Sequence, residues 1–174
     1  MTEVAATGAE ATAAAATGSR IVELLVSPVR RLDGRPSPEL PELPDETVER
    51  IEIRAGLGVV GDRYFNRRAF RDASVTVMAA EALAAWGAGL RATRRNVLLQ
   101  GVDVDAGIGR TLQLDSDDGP IRLRLRSRAH PCAWMDHTVG PGAWRGLRGH
   151  GGARCEPLTD GVLRVGPVDA RWLG

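Results

Sequence analysis

Ile121-Arg122-Leu123-Arg124-Leu125-Arg126 decides the fold. Apolar and charged residues alternate strictly, which is the period of an extended chain, so Ile121, Leu123 and Leu125 face a core while Arg122, Arg124 and Arg126 share the opposite face. Working upstream, Thr111 to Leu114 reads as a second strand. It is separated from the first by Asp115-Ser116-Asp117-Asp118-Gly119-Pro120, a hairpin or loop signal. Downstream, the alternating strand delivers the chain to Arg128-Ala129-His130-Pro131-Cys132-Ala133-Trp134-Met135-Asp136.

Further strand signals lie on both sides. Ile21, Val22, Leu24, Leu25 and Val26 form a buried run that ends at Ser27-Pro28, and Val48 to Ile53 alternates apolar and charged residues. Val75 to Met78 and the apolar run Val97-Leu98-Leu99 add two more. Cys155 to Leu158 and Val162 to Val165 flank Asp160-Gly161, which predicts a two-residue type I′ hairpin. Helical content is expected only at Ala79 to Trp86, stopped by Gly87 and Gly89, and at Gly142 to Arg148. Residues 33 to 45, with Asp33-Gly34 and the prolines Pro36, Pro38, Pro41 and Pro44, read as a loop. Many short strands and few short helices predict a mainly β fold, a barrel or sandwich. It forms one domain over residues 20–174, preceded by a disordered Ala/Thr-rich tail over residues 1–19.

Composition narrows the function. The 174 residues, 43% of them hydrophobic, suit one globular domain, and a formal net charge of +1 argues against a nucleic-acid partner. All 23 basic residues are arginine. Without a lysine the chain can form no pyridoxal-phosphate (PLP) Schiff base and has no P-loop lysine. No stretch of 18 apolar residues is present and the first 19 residues match no signal peptide, so no membrane partner is expected. Two cysteines without zinc-ribbon or disulfide-scaffold spacing suit a reducing, cytoplasmic setting.

Cys132 is the candidate nucleophile. A thiolate is the reactive form, and neighbouring cations favour it, so Arg128 and His130 are candidates to act with Cys132. His130 and His137 around the cysteine lack a fourth ligand for zinc. Three more groups offer ligand chemistry. The glycine-rich turn Gly56-Leu57-Gly58-Val59-Val60-Gly61 is followed by Asp62, Arg63, Tyr64, Arg67, Arg68 and Arg71, and arginine forks suit phosphates and carboxylates. Arg94-Arg95-Asn96 stands at a strand entrance, where alternation places Arg94 and Asn96 on a pocket face and Arg95 on the surface. His150, among glycines, is a candidate donor at a pocket rim. The four tryptophans read as packing groups.

In this order and spacing, Gly58-Val59-Val60-Gly61-Asp62-Arg63, Arg94-Arg95-Asn96, Pro131-Cys132, Gly151-Gly152 and Asp160-Gly161-Val162-Leu163-Arg164-Val165-Gly166 resemble a MOSC domain. The family is named for the C-terminal domain of molybdenum cofactor sulfurase, and the resemblance covers about residues 20–168. It implies a MOSC-type β-barrel with a few short peripheral helices. It also implies a cysteine at Cys132 that carries sulfur or ligates molybdenum. Gly61, Asp62, Arg63, Arg94, Arg95, Asn96, His150 and Gly151 would then surround a molybdenum-pterin cofactor. The expected function is sulfur transfer through Cys132, linked to molybdenum cofactor binding or sulfuration, with sulfur supplied by a cysteine desulfurase-like donor protein. The alternatives are a molybdenum-dependent reductase of N-hydroxylated compounds, with Cys132 as the metal ligand, and a non-enzymatic binder of an anionic small molecule.

Overall fold

The computed structural model describes residues 18–37 and 39–174, so the expected tail lies, but for Gly18 and Ser19, outside the described residues. Among these, twelve strands follow in order: β1 (Arg20–Leu25), β2 (Thr47–Val48), β3 (Arg50–Arg54), β4 (Gly58–Val59), β5 (Val75–Ala79), β6 (Val97–Gln100), β7 (Thr111–Asp115), β8 (Pro120–Arg128), β9 (Ala153–Pro157), β10 (Gly161–Arg164), β11 (Gly166–Pro167) and β12 (Asp169–Leu173). Three one-turn helices punctuate them: α1 (Leu90–Thr93), α2 (Met135–Thr138) and α3 (Ala143–Gly146).

The main sheet runs β11-β1-β6-β5-β9-β8-β7-β12, with β2 pairing separately with β1, and a small sheet runs β10-β3-β4. Among the described residues only β5 and β6 pair in parallel. The expected closed barrel is not formed: among the described residues no ladder joins the edge strands β11 and β12. Yet only Val168 separates these two edges in sequence, so they lie within about 7 Å where the chain crosses. A sheet whose first and last strands are neighbours along the chain must be rolled. The result is an incomplete barrel.

Two apolar cores flank this sheet, and they account for the strand patterns. Inside the roll, Ile21, Leu24, Val77, Val97, Leu99, Ile121, Leu123 and Leu125 belong to one cluster. On the outer side Leu25, Met78 and Leu98 pack with Trp134, Met135 and Leu147 of the helical segments. Neighbouring residues of β1, β5 and β6 therefore enter opposite cores, so these strands read as continuous apolar runs. β8 has only its inner face covered, and its arginines point outward.

Two local expectations are corrected. Ala79 to Trp86 is not one helix but two 3-10 turns, Ala80–Ala82 and Ala84–Trp86, stopped at Gly87 in the left-handed region. A run this short does not repay α-helix nucleation, and tertiary contacts decide instead. Leu83 is pinned in the outer core, and Trp86 lies so close to Gly146 that a Cβ there would come to 2.8 Å. The predicted hairpin at Asp160-Gly161 is also absent. β9 pairs with β5 and β8, whereas β10 pairs with β3 in the small sheet. Asp160 anchors the turn to β3, accepting from the Ala55 amide at 2.7 Å.

Candidate functional site

Cys132 is placed by the segment that leaves β8. The Ala129 amide donates to the Gly152 carbonyl at 2.8 Å, and a Cβ on Gly151 would lie 2.2 Å from the Ala129 carbonyl oxygen. Only glycine allows that approach. The Cys132 carbonyl then accepts from the Met135 amide at 2.9 Å, opening the turn into α2. Trp134 and Met135 sink into the outer core and hold Cys132 at the surface, where its thiol is free and exposed. Cys155 is free but fully buried, and burial pushes its thiol pKa up. The two thiols thus sit in opposite environments.

The thiol opens on a cavity of about 170 Å³ with six arginines and no carboxylate among its lining residues: Arg30, Arg31, Arg63, Arg94, Arg95 and Arg154. His130, Tyr64 and Thr93 add to its polar lining, so the structure brings Cys132, His130, Arg63, Arg94 and Arg95 together. Behind the wall lies a fully bonded network. The Asp62 carboxylate accepts from the Ser27 amide at 3.1 Å, the Tyr64 amide at 3.2 Å, the Asn96 amide nitrogen at 3.0 Å and Arg63 at 3.2 Å. Asn96 is fully buried; its oxygen accepts from the Thr76 amide and hydroxyl, and its nitrogen donates to the Leu25 carbonyl and to Asp62. With its donors and acceptors engaged, Asn96 is a positioning group and has nothing left for a ligand. Gly61, with φ +83°, makes the turn that presents Asp62 to this network.

The strand-entrance arginines depart from the expected alternation, since both line the cavity. Arg94 is not in an extended chain: it caps α1 in the left-handed region, φ 57°, and its amide donates to the Leu90 carbonyl at 2.7 Å. Alternation therefore cannot be counted through it. Its guanidinium donates to the Ser27 hydroxyl at 2.7 Å and to the Pro44 carbonyl at 3.3 Å, and it pairs with Glu46. Glu46 also holds Arg31 at 2.6 Å. Arg95, expected on the surface, is the half-buried cavity arginine, donating to the Gly151 carbonyl at 3.2 Å and the Ala129 carbonyl at 3.1 Å.

Arg95 has no carboxylate partner among the described residues, and neither has Arg154 on β9. Burial, then repulsion from Arg154, pushes the Arg95 pKa down to about 10, while a charge on Cys132 favours the guanidinium. Arg63 pairs with Asp62 and Arg30 with Asp33, while Arg31 and Arg94 share the single carboxylate of Glu46. Among the described residues, the cavity arginines with no carboxylate partner are thus Arg95 and Arg154. Arg154 escaped the sequence reading, although Ala153-Arg154-Cys155-Glu156 alternates buried and outward residues and directly follows Gly151-Gly152.

Other candidates lie elsewhere. Arg128 points toward the Gly149 carbonyl, 3.2 Å away, and toward Asp105 at 3.9 Å. His150 lines a different cavity of about 540 Å³ with Glu81, Asp103 and Asp105. His137 lines a third, beside Trp86 and Arg91. Gly151 contributes through its backbone, as the acceptor for Arg95. Among the described residues no group of three or more His, Cys, Asp or Glu side chains is arranged to hold a metal ion, and no helix is long and apolar enough to cross a membrane.

No protein-family model and no curated protein matches the sequence. Solved structures do match. The YuaD protein of Bacillus subtilis superposes with a TM-score of 0.67 at 12% identity, covering 90% of this chain and 96% of that one. YiiM from Geobacillus stearothermophilus gives 0.56 at 15% identity, over 87% of this chain and 74% of its own. YiiM from Escherichia coli gives 0.51 at 14%, over 89% and 70%. At such identities the likeness shows the fold alone.

Proposed function

We propose that this MOSC-type domain is a sulfur carrier that receives a sulfane sulfur on Cys132 and passes it on, in the service of molybdenum cofactor sulfuration. The observation that carries this reading is the exposed Cys132 thiol opening on a cavity where Arg95 and Arg154 lack counter-charges. Both the thiolate that attacks and the persulfide made from it are anions, and guanidiniums without a carboxylate partner can pair with either. The exposed position lets a donor and an acceptor reach the sulfur in turn. A chain without lysine forms no pyridoxal-phosphate aldimine, so a cysteine desulfurase-like partner would be one source of the sulfur.

A second reading is favoured by a specific feature. A groove of about 340 Å³, walled by Pro28, Val29, Tyr64 and Phe70, shares Arg30, Arg63 and Tyr64 with the Cys132 cavity. The residues lining the two would suit a molybdenum-pterin group. Cys132 would supply one soft thiolate, Arg95 and Arg154 would hold its anionic oxygens, and the Tyr64 and Phe70 rings, 4.6 Å apart, would pack on its flat part. When bound, the group supplies two-electron redox chemistry suited to reducing N-hydroxylated compounds.

Persulfide loading of Cys132, read by mass spectrometry after incubation with a cysteine desulfurase and cysteine, tests the first reading. Cys132→Ser should abolish loading and Cys155→Ser should leave it intact. Equal loss in both variants would refute a single sulfur site. Molybdenum content of protein made in a cofactor-producing host tests the second. Anion binding without loading or metal would leave a non-enzymatic binder.

A further inference from the structure

Six arginines around a cavity of only about 170 Å³, with an exposed thiol at the same cavity, limit the ligand by both size and charge. The space suits a tetrahedral oxyanion. Asp62 pairs with Arg63, and Glu46 is shared by Arg31 and Arg94, so these guanidiniums are fixed by protein contacts. Arg95 and Arg154 differ. They repel one another without an intervening carboxylate, and an anion placed between them would relieve that repulsion. Arg95 spends two of its nitrogens on the Gly151 and Ala129 carbonyls, which fixes the plane of the fork and leaves its other amino group for a ligand.

We infer that this cavity takes a small sulfane-sulfur oxyanion of the thiosulfate class, so that Cys132 can be loaded from a small molecule without a donor protein. The inference rests on Cys132 being the sulfur carrier. With the sulfonate oxygens on Arg95 and Arg154, the outer sulfur faces the Cys132 thiolate. The thiolate attacks that sulfur, a new S–S bond forms at Cys132, and the donor's own S–S bond breaks. Sulfite departs with the electron pair. A thiolate and a dianion become a persulfide anion and a dianion, so charge balances and no oxidant or reductant is consumed. The guanidiniums that bind the sulfonate also stabilise the sulfite as its charge develops.

The test incubates the reduced full-length protein with thiosulfate and follows sulfite release together with the mass gain of one sulfur atom on the Cys132 peptide. Stoichiometric sulfite and a persulfide on Cys132 are expected, both absent in Cys132→Ser. Arg154→Gln, a change at an exposed side chain, should slow loading by thiosulfate about tenfold or more, the size of one hydrogen bond to a charged group. Its loading by a cysteine desulfurase, whose persulfide carries no sulfonate for the guanidinium to hold, should fall by less than its loading by thiosulfate. Loading by the desulfurase but not by thiosulfate would overturn this inference and leave the sulfur-carrier reading standing. Absence of loading from either source would overturn both. Equal thiosulfate rates with and without Arg154 would overturn the role given to the guanidiniums.

Discussion

Removal of the Asp62 carboxylate should unfold the wall of the Cys132 cavity from behind. Asp62→Ala leaves the Ser27 amide, the Tyr64 amide and one Asn96 N–H without their acceptor, and it strips Arg63 of its counter-charge. The Asp62 side chain is fully buried and that of Arg63 only 10% exposed, so water cannot readily replace what is lost. An orphaned buried donor costs about 1–3 kcal/mol, and breaking a buried ion pair about 3–5 kcal/mol. These terms overlap, and about 4 kcal/mol is expected in total. For a domain of this length that lowers the thermal midpoint by about 8–16 °C. Scanning calorimetry and urea titration of Asp62→Ala measure it. Asp160→Ala is the control: Asp160 also accepts from a backbone amide and meets an arginine, but its side chain is 58% exposed and water can take its place. A loss below about 1 kcal/mol at Asp62, or an equal loss at Asp160, would refute the view that this network supports the cavity.

Burial pushes the Asp105 carboxyl pKa upward, opposed by the Gly152 amide that donates to it at 3.1 Å. A carboxyl whose folded pKa exceeds its unfolded value stabilises the fold most when protonated. Its contribution falls as pH rises through the unfolded value and is gone above the raised folded one. Asp105→Asn, which keeps the acceptor for Gly152, should flatten the stability profile across that acidic window and hold or raise stability at pH 7. Urea titrations at a series of pH values check this, and a steeper fall toward neutral pH in the variant would contradict it. Gly151→Ala forces a Cβ against the Ala129 carbonyl and Pro131, so it should displace the Cys132 segment and lower stability by about 1–3 kcal/mol. The rate of Cys132 alkylation in the folded protein reads the displacement, and an unchanged rate with unchanged stability would contradict the close packing.

The alternation of Ile121 to Arg126 was sufficient to predict a strand with one buried face, because side-chain direction in an extended chain depends only on parity. The same local logic located a mainly β fold and the loop over residues 33 to 45, but of the two groups it set beside Cys132 only His130 lines the cavity, while Arg128 turns toward Gly149 and Asp105. It failed wherever partners distant in sequence decide the outcome. Arg94 and Arg95 both line the cavity instead of dividing between pocket and surface, because a single left-handed residue at the end of α1 breaks the parity on which the expectation rested. Asp160-Gly161 has the composition of a hairpin turn, but β8 and β5 compete for β9 while β3 takes β10. Gly151 and Arg154 join Arg95 only after the chain has travelled from β6 to β9, a juxtaposition that no local pattern encodes. Residue type determined that this chain could offer a soft nucleophile and guanidinium forks and no amine. Which arginines keep an unbalanced charge beside the thiol was decided by where Glu46 and Asp62 pack, because neutralisation depends on distance in space, and only the folded chain sets that distance.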